Sequence, residues 1–314
     1  MGTYIVRRVL LSIIVLLLIT ILTFSLLHIM PGDPATIMLG IDVSPEQIDA
    51  LRKELWLDRP LAVQYGHWLF NAIQGDLGKS VLYQEDVTGF IATRLPVTMH
   101  ISFLALVLST ILGVGAGIIC AIRRGGILDS VITLAANIGI AIPIFWLGIL
   151  GIYFLGLRLG LLPIQGYTSP FDNFWLNTRQ LIMPVICLAI PTLALLARQT
   201  RSSILEVIQQ DYMRTAWAKG LKERVIVLKH ALKNALIPVV TLLGIQFRIL
   251  VGGSVLVETV FNIPGMGRLL VTSVLGKDFI MVQACILVIA LLVLLANLLV
   301  DISYGWLDPR VRYG

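Results

Sequence analysis

Charged residues are scarce in this chain. Lys, Arg, Asp and Glu make up 13% of its 314 residues, whereas soluble domains carry roughly 25%. So few charges could not cover the surface of a soluble protein of 34.6 kDa, and 57% of the residues are hydrophobic. The composition excludes an ordinary soluble enzyme, a disordered chain and a nucleic-acid-binding protein, although the net charge is +6. We interpret the excess of positive charge as loop charge on the cytoplasmic side of a membrane protein.

Residues that could form a metal or catalytic site are also few. The three cysteines lie in separate apolar runs, and the four histidines are far apart in the sequence. This excludes a disulfide framework and a zinc site, and it predicts that Cys120, Cys187 and Cys285 are buried as small hydrophobic groups. Paired catalytic acids, a Gly-x-Ser-x-Gly elbow and a His-Glu-x-x-His helix are lacking. Gly78-Lys79-Ser80 ends like a phosphate-binding loop, but Ile73 stands where that motif requires its first glycine.

Long apolar runs dominate what remains. A membrane helix needs about 20 mostly apolar residues, and six stretches qualify or nearly do: 9–32, 95–122, 130–157, 180–197, 234–257 and 279–300. Pro143, Pro184 and Pro191 fall inside these stretches, and we expect them to kink their helices. The first stretch is too long for a signal-peptide core and lacks a cleavage site, so it is predicted to be retained.

The distribution of Lys and Arg gives the orientation. With the N-terminus inside, the inner segments hold 14 of these residues and the two short outer loops hold four. Cytoplasmic loops carry the excess of basic residues in membrane proteins. Since six spans place both ends of the chain on one side, we predict that the N-terminus and the C-terminus are cytoplasmic.

Charges gather in two segments that lie outside the spans. Residues 30–95 hold 14 of them and residues 198–233 hold 11. We therefore predict a first membrane helix over 1–29, an extracytoplasmic helical insertion over 30–96 and a five-helix core over 97–304. The core includes a cytoplasmic loop over 198–234, and residues 305–314 form a cytoplasmic tail.

The outer insertion carries two helix signals. Ser44-Pro45-Glu46 is typical of a helix start, and the first helix is predicted to end near Leu57, before Arg59-Pro60. The second is predicted over 61–73. Its aromatic side chains either cover a small outer core or lie at the membrane interface, and the sequence does not decide between these.

Small residues within the second span predict close packing. Gly113, Gly115 and Gly117 alternate along it. Glycines let neighbouring helix backbones approach each other in a membrane bundle. The pattern therefore favours a tightly packed helix bundle.

Polar residues inside the spans are candidates for a translocation path, because burying them in a bilayer is costly. Arg248 either lines the path and meets an anionic group of the substrate, or makes a structural contact within the bundle. Asn297 is expected to hydrogen-bond across helices, and Glu258 to lie at an outer gate. The candidates are Asn137, Gln246, Arg248, Glu258 and Asn297.

The inner charged segment carries the strongest functional signal. From Asp211 onwards, good helix formers alternate with Lys and Arg at helical spacing, and Gly220 interrupts the pattern. Such a short helix suits docking into a groove of a partner protein. The alternative is a basic amphipathic helix that lies on anionic lipid.

This segment resembles the cytoplasmic coupling loop of ABC importer permeases, in the dipeptide, oligopeptide and nickel branch. Arg214-Thr215-Ala216 is followed by Gly220-Leu221 and then by Asn234-Ala235 and Pro238. Arg214 and Thr215 replace the Glu and Ala of the wider family, as is usual in this branch. Similar motifs follow the branch's order at Met30–Ala35, Leu57–Leu61, Gly75–Gly78, Arg94–Thr98, Val257–Phe261, Pro264–Arg268 and Leu307–Arg310.

The resemblance implies an all-α integral membrane protein with six transmembrane helices, like the type I ABC importer permeases. Its function would be that of a non-catalytic permease subunit passing peptides across the inner membrane of a bacterium or archaeon. The implied partners are a second homologous permease, two cytoplasmic ATP-binding subunits, an extracytoplasmic substrate-binding protein and membrane lipid, but no nucleic acid. This chain would bind no cofactor, since ATP and Mg²⁺ would lie on the ATPase subunits. The residues implied in coupling to them are Asp211, Arg214, Thr215, Ala216, Lys219, Gly220 and Leu221.

Two alternatives to peptide import stay open on the sequence. The same machinery in this branch imports nickel or another metal chelate, or glutathione. A different class is a secondary transporter driven by an ion gradient. Against that class, no inverted repeat is evident, and six spans would be few for a self-sufficient transporter.

Overall fold

The chain is almost entirely helical in a computed structural model that describes residues 2–29, 35–36, 44–54, 56–211, 213, 218 and 231–307. Within those residues no β-strand forms, and an isolated β-bridge joins Lys79 to Asp86. The prediction of an all-α fold is confirmed.

Helices of very different length make up most of the described chain. In the described part of the chain they are α1 (Gly2–Ile29), α2 (Pro45–Glu54), α3 (Leu61–Ile73), α4 (Val87–Ile122), α5 (Ile127–Ala141), α6 (Ile144–Gly151), a π-helical stretch (Ile152–Arg158), α7 (Phe174–Ile208), α8 (Leu232–Val260), α9 (Met266–Leu275) and α10 (Phe279–Leu307).

The membrane spans agree with the six apolar stretches when one broken helix is counted as a span. Among the described residues, α1, α4, α7, α8 and α10 are long and apolar enough to cross a bilayer. The remaining candidate joins α5 to α6 and the π-helical stretch through a bend of 100°. Ile142, just before Pro143, is extended with ψ of 127°, since a proline disfavours helical geometry in the residue that precedes it.

Proline has a different effect in α7. Pro184 and Pro191 both lie inside this helix, which continues from Phe174 to Ile208. It is much longer than the apolar stretch at 180–197, because a helix continues into polar sequence where packing and capping support it. At its start, the Asn173 side chain accepts a hydrogen bond of 2.9 Å from the backbone N–H of Leu176.

The helices form two compact units. The first comprises Met99–Ile263 and the chain from Ala296, and α7 is its most buried span. Gly113 and Gly117 of α4 face α7 so closely that an added Cβ would lie 2.7 Å from the Leu193 carbonyl oxygen and 2.6 Å from that of Ala197. Nothing lies within 4 Å of a Cβ built at Gly115. Two of the three glycines therefore provide the close packing that the pattern predicts.

The second unit comprises Gly2–Thr98 and Pro264–Leu295. The start of α4, α9 and the first half of α10 bury a shared apolar cluster in it. Its fully or nearly buried members are Leu77, Val87, Ile91, Met266, Leu269, Met281, Ala284 and Cys285. This burial supplies the main driving force for assembling the unit.

Two helices of the second unit come from the predicted outer insertion. Ser44 and Gln47 exchange backbone-to-side-chain hydrogen bonds of 3.4 Å, a capping box that starts α2. This helix ends at Glu54, earlier than the predicted Leu57, and a turn over residues 56–59 follows. The predicted bounds of the second helix, α3, are confirmed.

The aromatic side chains of α3 differ in their packing. The Tyr65 hydroxyl lies 2.9 Å from Thr20 Oγ1, and its ring packs edge-on against Phe24 of α1. Phe70, in contrast, is 63% exposed. Part of the helix thus packs on α1, and part presents apolar surface to the surroundings.

The three cysteines are all free and buried. Cys120, Cys187 and Cys285 lie on α4, α7 and α10, with exposed fractions of 4% or less. The prediction that they act as small apolar groups in the core is confirmed.

Candidate functional site

Two polar contacts link α8 to its neighbours inside the first unit. Gln246 is buried on α8, and its Oε1 accepts a hydrogen bond of 3.2 Å from Thr192 Oγ1 of α7. Two residues further along, the Arg248 guanidinium donates to Asn297 Oδ1 of α10 at 3.3 Å. Of the five residues proposed for a translocation path, Arg248 and Asn297 are therefore in direct contact, whereas Gln246 bonds to α7 instead.

Arg248 carries a charge that its observed partner does not neutralise. Asn297 offers a neutral amide oxygen, and among the described side chains no carboxylate pairs with Arg248. A charged side chain at the centre of a bilayer costs about 2.5–3.5 kcal/mol on insertion scales. The guanidinium has five N–H donors, so one amide contact leaves most of its hydrogen-bonding capacity unused.

Glu258 and Asn137 lie apart from these contacts. Glu258 is fully buried near the end of α8, and its backbone oxygen accepts a hydrogen bond of 2.8 Å from the Ile263 N–H. Asn137 is exposed on α5 and makes no side-chain hydrogen bond with the other four candidates in the described part of the chain. The five residues therefore do not form a single cluster.

The loop between the π-helical stretch and α7 is held by hydrogen bonds near the end of α8. The Gly166 N–H donates to the Phe261 carbonyl at 3.0 Å. The Gln180 side chain accepts from the Thr168 N–H at 2.7 Å. Tyr167 lies 3.1 Å from His100 Nδ1, and burial raises the pKa of its phenol. The loop therefore has fixed polar partners on α4, α7 and the segment after α8.

The proposed coupling residues fall mostly outside the described part of the chain. Asp211 is described and exposed. Six others lie outside the described residues: Arg214, Thr215, Ala216, Lys219, Gly220 and Leu221. Close to Asp211, Met213 is fully buried in a small cluster with Ala231, against Val207 and Ile208 of α7.

An ion pair that the sequence did not predict joins α5 to α7. Arg201 Nε and Nη2 donate to the two carboxylate oxygens of Asp129 at 2.7 and 2.8 Å. The Gly125 N–H also donates to Asp129 at 3.0 Å, and this carboxylate is 7% exposed. Two parallel bonds from a guanidinium are the strongest geometry of such a pair. The partners lie 72 residues apart, so only the fold brings them together.

A second missed feature involves the tripeptide that resembles the end of a phosphate-binding loop. Ser80 is fully buried and donates its hydroxyl hydrogen bond to Asp278, a fully buried carboxylate ahead of α10. The same carboxylate accepts from the backbone N–H groups of Leu82 and Met281, at 3.1 and 3.0 Å. Ser80 thus has a structural partner within the second unit.

As for metals, no group of three or more His, Cys, Asp or Glu side chains suited to an ion occurs among the described residues.

Comparison with known families covers nearly the whole chain. Residues 113–313 match the family described as binding-protein-dependent transport system inner membrane component. Residues 1–102 match the N-terminal segment of such membrane components.

Individual relatives are similar over their full length. A probable peptide ABC transporter permease protein of Sinorhizobium fredii is 41% identical over 313 residues, covering all of both chains. The glutathione transport system permease protein GsiC of Escherichia coli is 42% identical over 313 residues, again covering all of both.

The solved structures show the same fold at lower identity. An inward-facing form of the MetNI methionine ABC transporter matches 70% of this chain and 96% of its own, with a TM-score of 0.55 and 20% identity.

Proposed function

Since the chain belongs to the binding-protein-dependent transport system inner membrane components, we propose that it is the permease subunit of an ATP-driven importer of short peptides. The observation that carries this proposal is the 41% identity, over the whole of both chains, to a probable peptide ABC transporter permease. Family membership confirms the resemblance found in the sequence motifs. It makes this chain a multi-pass, non-catalytic subunit of the inner membrane.

The family implies ATPase and substrate-binding protein partners. For this chain we assign a second homologous permease, two cytoplasmic subunits that hold ATP and Mg²⁺, and one binding protein outside. The excess of Lys and Arg in the inner segments, 14 against four, supports cytoplasmic N- and C-termini. The domain boundaries proposed above place residues 30–96 outside and residues 198–234 inside.

The contacts around α7 suggest how ATPase movement reaches the spans. Met213, within the proposed coupling segment 211–221, packs against Val207 and Ile208 at the end of α7. Arg201, on the same helix, holds Asp129 at the start of α5. A displacement of the coupling segment would therefore move α7 and α5 together, as packed elements shift between discrete arrangements rather than deform continuously.

Arg248 is the residue we assign to substrate recognition. A peptide ends in a carboxylate, and guanidinium groups bind carboxylates through paired hydrogen bonds. The single neutral partner of Arg248 leaves donors for such a group. Asn297 orients the side chain, Gln246 fixes α8 on α7, and Glu258 belongs to the outer gate. The competing assignment for Arg248 is a purely structural contact within the bundle.

Transport by the reconstituted complex tests the proposal. Proteoliposomes that contain both permeases and both ATPase subunits would be supplied with the binding protein and a radiolabelled dipeptide. We expect uptake only when ATP reaches the ATPase subunits and the binding protein is present. Uptake by this chain alone, driven by an ion gradient without ATP, would refute the proposal and favour a secondary transporter.

Glutathione is the second candidate substrate. The 42% identity to a glutathione permease is similar to the 41% identity to the peptide relative, and glutathione is itself a tripeptide. Calorimetric titration of the cognate binding protein with a dipeptide, an oligopeptide, glutathione and a nickel chelate separates the possibilities. The tightest ligand identifies the cargo, and a preference for the nickel chelate would refute peptide import.

A further inference from the structure

A small cleft in the second unit is lined by two arginines. Arg94 of α4 and Arg268 of α9 both contribute to it, together with Tyr83 and Gly265. Its volume is about 110 Å³, and no acidic side chain is among its described lining residues. Both arginines lie in segments that resemble motifs of the permease branch, Arg94–Thr98 and Pro264–Arg268. Neither arginine has a role in the proposed coupling or substrate recognition.

The walls of the cleft are fixed by buried contacts. At the start of α9, the Met266 N–H donates to Thr98 Oγ1 of α4 at 2.8 Å. The Tyr83 N–H donates to Ser80 Oγ, which in turn bonds to the buried Asp278. The cleft is therefore shaped before any ligand arrives, which lowers the ordering cost of binding.

Arg94 has an unused donor inside the protein. Its Nε is buried and has no hydrogen-bond partner among the described residues. Buried polar atoms are nearly always paired, so an unpaired one calls for a ligand or another specific explanation. Since the Nε atom itself is enclosed, a carboxylate in the cleft would bond to the terminal nitrogens of the guanidinium, which can also make two parallel bonds.

We propose that this cleft receives an acidic side chain of the substrate-binding protein when that protein docks on the outer face. The inference rests on the proposed function, which places residues 30–96 outside the membrane. A cleft of about 110 Å³ is well below the roughly 300–1,000 Å³ of pockets that enclose a whole small molecule. It has room for a carboxylate group whose parent molecule stays outside.

The surface beside the cleft suits a protein partner. Arg94 also borders an open depression of about 510 Å³ that is lined by Lys79, Glu85 and Asp86 among others. Such a mixture of charges at the edge of a specific site is typical of the polar rim of a protein interface. The carboxylate would enter the cleft at Arg94, while the rim contacts set the orientation of the partner.

The test measures docking on the intact complex. The complete importer is held in lipid nanodiscs, and the affinity of its cognate binding protein, loaded with dialanine, is measured by biolayer interferometry. Arg94→Gln is expected to weaken docking by about 30-fold or more, as when one partner of a buried charge pair is removed. Lys79→Gln removes the same charge from the rim alone and should change affinity by less than about threefold. Arg94→Lys keeps the charge but loses the planar guanidinium with its paired donors, so its affinity should lie between those of the wild type and Arg94→Gln.

The outcomes separate the occupants of the cleft. Restored docking when Arg94→Glu is combined with an acid-to-arginine change on the binding protein would identify the partner side chain. If Arg94→Gln leaves the docking affinity unchanged, the inference is overturned. If the KM for dialanine rises in that case, the group that occupies the cleft is the carboxylate of the peptide. If Arg94→Gln does not assemble, the Arg94→Lys affinity decides: a value equal to that of the wild type overturns the inference. A wild-type complex that binds no binding protein overturns the proposed function itself.

Discussion

Replacing Gly117 by alanine puts a methyl group into a contact that has no room for it. An ideal Cβ at this position would lie 2.5 Å from Thr200 Cβ and 2.6 Å from the Ala197 carbonyl oxygen. Optimal separations between nonbonded carbon atoms are about 3.5–4.0 Å. One of the neighbours is backbone, so a side-chain rotation cannot relieve the clash, and α4 must move away from α7.

The size of the effect follows from comparing Gly117 with Gly115 on the same helix. Overpacking of a filled core costs about 1–3 kcal/mol. Alanine is favoured over glycine in a helix by up to about 1 kcal/mol, a gain that both variants share. A Cβ at Gly115 meets nothing within 4 Å, so Gly115→Ala should be neutral or stabilising. The two variants should then differ by about 1–3 kcal/mol, the overpacking cost alone.

Thermal unfolding in one detergent at one scan rate measures the difference. At about 2.1 cal/mol/K of unfolding entropy per residue, 1 kcal/mol shifts the melting temperature of a chain of 314 residues by about 1.5 °C. Gly117→Ala should therefore melt at least about 1.5 °C below Gly115→Ala. The fraction that assembles with the ATPase subunits gives a second readout. If Gly117→Ala is as stable as Gly115→Ala in both measurements, α4 does not pack against α7 as closely as the Cβ distances indicate.

Three further predictions concern charged groups. Asp129→Asn leaves Arg201 without its charged partner. It should lower stability in the same thermal assay by about 2–4 kcal/mol, somewhat less than for a fully buried pair, because the Arg201 side chain is 32% exposed. An unchanged melting temperature would contradict the pairing. Asp278→Asn replaces a carboxylate that accepts three hydrogen bonds and should cost about 1–3 kcal/mol, whereas equal stability would argue against this network. A complex that carries Arg248→Ala should assemble and hydrolyse ATP, but its rate of dipeptide uptake should fall about tenfold (about 1.4 kcal/mol). Asn297→Ala should lower the uptake rate by a smaller factor. Unchanged uptake would leave Arg248 with a structural role alone.

Apolar run length and helix-start signals predicted much of the fold. The six stretches, the Ser44 cap and the bounds of α3 all followed from local composition, because membrane insertion and capping depend on neighbouring residues. The three prolines show the limit of local reasoning. The chain bends by 100° next to Pro143, yet α7 continues through Pro184 and Pro191. Whether a helix breaks at a proline depends on how the surrounding helices satisfy the freed backbone groups, which sequence does not reveal.

The candidate site was predictable only in part, because sequence identifies costly residues but not their partners. Arg248 stood out as a charge within an apolar run, yet its contact with Asn297 depends on how α8 packs against α10. Asp129 and Arg201 each looked like ordinary charges near a span end. Their pairing is set by the crossing of α5 and α7, at a separation of 72 residues.

The bond between Ser80 and Asp278 has a consequence for how the protein is made. The two residues are 198 positions apart in the chain. At synthesis rates of about 5–20 residues per second, roughly 10–40 s pass between the appearance of Ser80 and that of its partner. Throughout that interval the loop around Ser80 has no buried carboxylate to bind, and the apolar cluster of the second unit lacks α9 and α10. The segment around Ser80, although synthesised early, therefore completes its folding only after the last helix has begun to emerge.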